Sequence, residues 1–227
     1  TPAVQRGQEH GLEIIRTPHV TDDHRATITT DLATSSACLL AALADFRDRG
    51  WRTTHFFWVA GIWWEGPFDL MEPELVGRMV DVNLRNALIV CQRVWSEFVR
   101  SAEPRTFTTI ASTSGLEPRR NQAIYTATKY AQVGFTRALA LEAAALRTNS
   151  RVRGRIPGEL YFPNLRVRLF NPGGMRTHLF DAAPPPNYDS FMDPAKVGAY
   201  IVSRAACDAP FLEETIPRDS DLGRSLR

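Results

Sequence analysis

Lysine is almost missing from this chain. Lys and Arg together number 27, yet only Lys129 and Lys196 are lysines. Cysteine is scarce as well. Cys38, Cys91 and Cys207 lie far apart, with no C-x-x-C pair. An odd, scattered set excludes a disulfide framework and predicts reduced, buried thiols in a cytoplasmic protein, and no metal site is expected. An excess of one charge is lacking too. The formal net charge of +2 is too small to recruit nucleic acid or an anionic membrane. No apolar run approaches the ~18 residues of a membrane-crossing helix. The opening stretch, TPAVQRGQEHG, is polar and unlike a signal peptide. There is no internal repeat and no low-complexity linker. What remains is a globular composition, 44% hydrophobic and 23% charged over 227 residues. That is enough for one large domain with a sizeable core, and residues 1–227 are read as one domain.

Short apolar runs alternate with longer amphipathic ones. LEIIRT (12–17), ATITTDL (26–32), HFFWVAG (55–61), RTFTTIAS (105–112) and LRVRLFNPGG (165–174) read as strands. Residues 34–50, 72–100, 122–147 and 193–207 have helical spacing, the last with Asp193 as N-cap and Pro194 in the first turn. Asn83 is a polar residue in the middle of the second helix. This alternation predicts an α/β fold, a doubly wound parallel sheet with helices on both faces in three layers. Residues 147–164 and 178–193 are the two loop-like regions. Sheets of this kind bind ligands beyond the carboxyl ends of their strands. There the chain places Asp31-Leu32, Ala60-Gly61, Ala111-Ser112 and Asn171-Pro172-Gly173-Gly174.

The segment IYTATK puts Lys129 four residues after Tyr125. On a helix the two side chains project together. With 5 tyrosines and two lysines in the chain, about 0.04 such pairs arise by chance. Free tyrosine titrates near ~10, and a neighbouring ammonium favours the phenolate. The pair therefore suits general acid–base work in a carbonyl–alcohol interconversion. Ser112, at the end of the preceding strand, is the candidate for holding the carbonyl oxygen. An ordinary surface tyrosine is the competing reading of the pair taken alone.

Together these segments resemble the short-chain dehydrogenase/reductase family, whose fold is Rossmann-like. IASTSG…IYTATK resembles the family's serine and Tyr-x-x-x-Lys segment. VDVNLRNALIV resembles its Val-Asn-Leu helix, NPGGMRT its Pro-Gly-x-x-x-Thr turn, and TTDLAT its Asp-Leu pair. The resemblance implies catalytic roles for Asn83, Ser112, Tyr125 and Lys129, with Asn83 holding a water in a proton relay to Lys129. It implies a nicotinamide cofactor beside Asp31, Leu32, Ala60, Gly61, Tyr125, Lys129, Pro172, Gly173 and Thr177. It also implies a small-molecule substrate, and a homodimer or homotetramer formed through the helices at 72–100 and 122–147.

The chain departs from the family pattern in three places. The glycine-rich phosphate loop is absent, and TPAVQRGQEHG aligns with the helix that follows it. Either the complete protein carries a further strand and that turn before Thr1, the reading taken here, or the dinucleotide does not bind in the usual way. Trp58-Val59 stand where the family has two asparagines. Residues 147–164 form an arginine-rich insertion, read as a solvated loop. Near the end of the second strand, Arg16, with His19 and Arg25, favours NADP, with NAD as the alternative because Asp22 and Asp23 are close. Trp63, Trp64, Phe180, Tyr188 and Phe191 suit either a pocket for an apolar or ring-containing substrate or the core. An isomerase or dehydratase on the same scaffold, and a cofactor-free binding protein, are the alternative functions.

Overall fold

The computed structural model describes residues 10–14, 26–30, 32–33, 35–147, 164–181 and 184–227, the first two segments by their backbone alone. Arg16, Asp31 and most of the insertion, residues 148–163, lie outside the described residues. Strands β1 (His10–Ile14) and β2 (Ala26–Thr30) precede helix α1 (Ala37–Asp48) and strand β3 (His55–Trp58). Then come α2 (Pro73–Val80), a π-helical turn (Asp81–Arg85), α3 (Asn86–Phe98) and β4 (Arg105–Ile110). The long helix α4 (Ala123–Arg147) is followed by β5 (Leu165–Pro172), α5 (Pro194–Ala205), β6 (Phe211–Ile216) and α6 (Asp221–Ser225).

Strands β3, β4, β5 and β6 form a parallel sheet in that order. Every residue of β4 is buried, as a central strand covered on both faces requires. Side chains alternate between the faces. Leu165 and Val167 of β5 join the larger core, which α1 to α4 build with Leu39, Met79, Val94, Phe98 and Ala143. Phe107 of β4 anchors this core, its ring centroid 5.1 Å from Phe56 and 5.7 Å from Trp95. Phe170 of β5 points to the other face and packs with Val197, Ile201 and Ala205 of α5 and with Ile216. Arg168 lies on that same face and is 0% exposed. Its guanidinium donates to the carbonyls of Ala205 (3.2 Å) and Cys207 (2.5 Å), closing the C-terminal end of α5. At the other end of α5, Asp193 accepts from the backbone N–H of Ala195 (2.8 Å) and Lys196 (3.3 Å).

Four features differ from the sequence-based expectation. First, β1 and β2 pair antiparallel, apart from the parallel sheet, and β1 begins two residues earlier than LEIIRT. Only residues 15–25 separate them, and a parallel pairing needs a crossover of about a dozen residues or more. Second, the helix expected at 72–100 is interrupted at Asn83 by the π-turn. Third, β6 was not foreseen. Its two central residues, Glu213 and Glu214, break the apolar pattern, because each pairs with a cation across the sheet: Arg137 of α4 (2.6 Å) and Arg204 of α5 (3.0 Å). Fourth, of the three free cysteines only Cys91 is buried; Cys38 is exposed on the outer side of α1. Among the described residues no helix is long and apolar enough to cross a membrane.

Candidate active site

Ser112 leaves the carboxyl end of β4, and its hydroxyl accepts from the backbone N–H of Ser114 (3.1 Å), turning the chain at once. The turn lies directly on α4. A Cβ on Gly115 would stand 2.7 Å from the Lys129 carbonyl oxygen, so only glycine permits the approach. This brings Ser112 to Tyr125 in the first turns of α4, close enough for its hydroxyl to favour the phenolate. Lys129 lies one turn on, its Nζ 5.6 Å from the Tyr125 ring centroid. That ammonium donates to Gln132 Oε1 (2.9 Å) and to the Ile110 carbonyl (3.4 Å), which uses two of its three donors.

Asn83 faces the group from the π-turn and is completely buried. Its Oδ1 accepts from the backbone N–H of Ile62 (2.6 Å), and its Nδ2 donates to the Ile62 carbonyl (2.9 Å) and to Thr128 Oγ1 (3.1 Å). Asn83 thus clamps the loop after β3 onto α4. The link from Lys129 to the Asn83 main chain is made by a side chain: Gln132 Nε2 donates to the Asn83 carbonyl (2.8 Å). Gly61 sits against both, since a Cβ there would be 3.3 Å from Asn83 Oδ1 and 3.8 Å from Lys129 Nζ.

Burial dominates the electrostatics. It pushes the Tyr125 phenol up to about 12, with the Ser112 hydroxyl pulling the other way, and draws Lys129 down to about 7. The sequence led to the expectation that Lys129 lowers the Tyr125 pKa; instead the desolvation of the phenol dominates and raises it. At neutral pH Tyr125 therefore holds its proton, and Lys129 titrates close by.

A cavity of about 660 Å³ opens over this group. Ser112, Tyr125, Pro172, Gly173 and Thr177 line it, as do the aromatic residues Trp63, Phe180 and Phe191. Trp63 and Phe180 meet edge to face at 4.8 Å, and Phe180 meets Phe191 in the same way at 5.2 Å. These rings are at once core and cavity wall. Asn83 and Lys129 lie beneath the wall. Ala60 and Gly61 are half-buried beside Asn83, and the Leu32 carbonyl accepts from Asn86 Nδ2 (2.6 Å) under the start of α3. In place of the family's asparagines, Trp58 is buried against Phe135 (6.0 Å) and Val59 is exposed.

Several residues of the site escaped the sequence reading. Gln132 falls on the buried face of α4 with Tyr125, Thr128 and Lys129, and a polar residue on that face was the available signal. Arg218 and Asp219 follow β6, which was not foreseen. They pair with each other (2.9 Å), and Arg218 lies over the Phe191 ring (5.4 Å) at the cavity wall. The cavity lies within the ~300–1,000 Å³ of ordinary ligand sites.

Residues 2–187 match the short chain dehydrogenase family. The chain belongs to that family. It is 35% identical over 99 residues to an acetoacetyl-CoA reductase of Acinetobacter sp. (strain RA3849), covering 44% of this chain and 39% of that protein. It is 28% identical over 153 residues to the acetoacetyl-CoA reductase of Paracoccus denitrificans, covering 67% and 60%. The chain thus spans less than two thirds of the length of these curated relatives. Among solved structures, 3-ketoacyl-(acyl-carrier-protein) reductase from Brucella melitensis, complexed with NADH, has a TM-score of 0.67 at 23% identity, covering 86% of this chain and 77% of that one. A short-chain dehydrogenase from Shigella flexneri, complexed with NADP, has a TM-score of 0.66 at 20% identity, covering 84% of this chain and 74% of that one.

Proposed function

We propose that the protein is a nicotinamide-dependent oxidoreductase, a ketoreductase or alcohol dehydrogenase, acting on a small carbonyl or alcohol substrate of apolar or ring-containing character. The observation that carries this reading is that Ser112 and Tyr125 share one cavity wall, with Lys129 directly behind Tyr125. Tyr125, protonated at neutral pH, donates its proton to the substrate oxygen, or takes one from an alcohol through the reverse step. Ser112 orients that oxygen. Asn83 keeps the loop after β3 closed against α4. The bound nicotinamide supplies or accepts the hydride. Lys129, Tyr125, Thr177 and the Pro172-Gly173 turn would hold its nicotinamide end; Ala60, Gly61, Leu32, Asp31 and Arg16 would serve its adenosine end.

The aromatic wall of Trp63, Phe180 and Phe191 supports an apolar or cyclic substrate. The names of the relatives make β-ketoacyl thioesters the first compounds to try. NADP is the proposed cofactor and NAD the alternative; neighbours were solved with NADH and with NADP. We further propose one cytoplasmic domain that assembles as a homodimer or homotetramer. Leu141 of α4, 74% exposed, supports this, whereas Val94, Phe98, Val133 and Leu139 are spent in the core. The test follows NADPH and NADH absorbance with acetoacetyl-CoA and a panel of cyclic ketones. Turnover of at least one carbonyl compound is expected. No turnover of any, with a folded full-length protein that binds the cofactor, would reject the reading.

A further inference from the structure

Gln132 stands three residues beyond Lys129 on α4 and is 1% exposed. A buried amide has four hydrogen-bonding positions and an orientation that only its neighbours decide. Here they decide it without ambiguity. One neighbour is the Lys129 ammonium, which can only donate; the other is the Asn83 main-chain carbonyl, which can only accept. With Oε1 toward Lys129 (2.9 Å) and Nε2 toward Asn83 (2.8 Å) both are satisfied. The reverse orientation would set donor against donor and acceptor against acceptor.

The remaining surroundings of Lys129 offer little to a cation. Tyr125 is the titratable group that faces it. Among the described residues, the carboxylates on neighbouring elements are engaged elsewhere. Asp81 of the π-turn pairs with Arg85 (2.7 Å), Glu65 of the loop after β3 accepts from Gln122 (2.8 Å), and Glu213 of β6 pairs with Arg137 (2.6 Å). On β4, Arg105 lies at the opposite end of the strand from Ile110. The charge is therefore held by two neutral oxygens, and the Gln132 contact is the shorter by half an ångström (2.9 against 3.4 Å). Ammonium, amide and carbonyl form a chain in which each hydrogen bond polarises the next.

We propose that Gln132 is a positioning residue: its amide pins the Lys129 ammonium to the Asn83 carbonyl and so sets the pH range over which Lys129 keeps its charge beneath Tyr125. The importance of that charge for turnover rests on the proposed oxidoreductase reading; the pinning itself does not. The amide also closes the interior side of Lys129. It can accept from the ammonium, but it cannot pass a proton on to a carbonyl, so proton exchange with Tyr125 is left to the cavity side.

The scarcity of lysine makes this directly measurable. In full-length protein labelled with [13C]lysine, any signal from Lys129 is to be assigned against a Lys129→Met control and followed from pH 5 to 11. In Gln132→Leu the Lys129 midpoint should fall by about one to two pH units, the scale of a hydrogen bond to a charged group. In Gln132→Glu, of nearly the same size, a carboxylate replaces the amide oxygen and the midpoint should rise. Lys196, whose Nζ donates to the Arg227 carbonyl 2.5 Å away, supplies the second lysine signal as an internal reference in both. The alkaline limb of kcat/KM, measured with NADPH and acetoacetyl-CoA, should move in the same direction as the Lys129 midpoint. A Lys129 midpoint unchanged in the folded variants overturns the proposal; if Gln132→Leu does not fold, Gln132→Glu alone decides. The midpoints are read without turnover, so they judge Gln132 separately from the proposed function, which Tyr125→Phe judges.

Discussion

Replacing Asn83 with alanine should cost far more than the loss of one polar side chain suggests. Asn83 is 0% exposed, and its amide serves both backbone groups of Ile62, itself a buried residue. Alanine leaves that N–H and that carbonyl without their partner in a dry site, at about 1–3 kcal/mol each. At about 1.5 kcal/mol for each group the loss is about 3 kcal/mol. For a chain of this length each kcal/mol moves the melting temperature by about 2–4 °C, so Tm should fall by about 6–12 °C. Thr128→Val is the companion variant. It removes a single neutral acceptor of Asn83 Nδ2 and should cost about 1 kcal/mol. The assay is thermal unfolding by circular dichroism, with urea titration as a second measure. An Asn83→Ala protein that melts within about 2 °C of wild type would refute the clamp, because it would mean that Ile62 finds its partners elsewhere.

Phe107→Ala removes a fully buried ring that meets Phe56, Trp95 and Phe135, and should destabilise by about 3–5 kcal/mol in urea unfolding, with less than 1 kcal/mol arguing against its central place in the core. Lys129 predicts a pH signature. Its folded midpoint of about 7 lies below the ~10.4 of an unfolded lysine, so between those values the unfolded chain binds the extra proton and stability rises with pH. Tyr125, raised to about 12 from about 10, reverses the trend above pH 10. The melting temperature should therefore climb between pH 7 and 10 more steeply in wild type than in Lys129→Met, and equal slopes would contradict the burial of the charge.

Much of the site was legible because its chemistry is local. Tyr125 and Lys129 share one helical face by their spacing, and Ser112 ends an apolar strand, so three of the four proposed catalytic groups could be placed from periodicity. The structure sets Ser112 and Tyr125 on one cavity wall and Asn83 behind them. What sequence pattern hides is partnership across the fold. The strand β6 reads as polar because Glu213 and Glu214 leave on opposite faces, to arginines on two different helices. The π-turn at Asn83 has no local sequence signal; it is the place where a main-chain carbonyl of the helix meets the Gln132 side chain of another. Gln132 itself looks like one polar residue in a long helix until Asn83 is brought against it. The antiparallel pairing of β1 and β2 follows from the length of the segment between them, which the strand–helix alternation of the rest of the chain obscured.

The central claim is that Tyr125 is the proton donor, and its most direct test is kcat/KM for Tyr125→Phe in the full-length protein. The substitution keeps the ring, its packing and the cation beside it, and removes only the hydroxyl. General acid catalysis is typically worth about 10²–10⁴-fold. With NADPH and the best ketone found for wild type, a fall of at least that size is predicted, with cofactor affinity and melting temperature near those of wild type. Turnover within a few-fold of wild type would contradict the account.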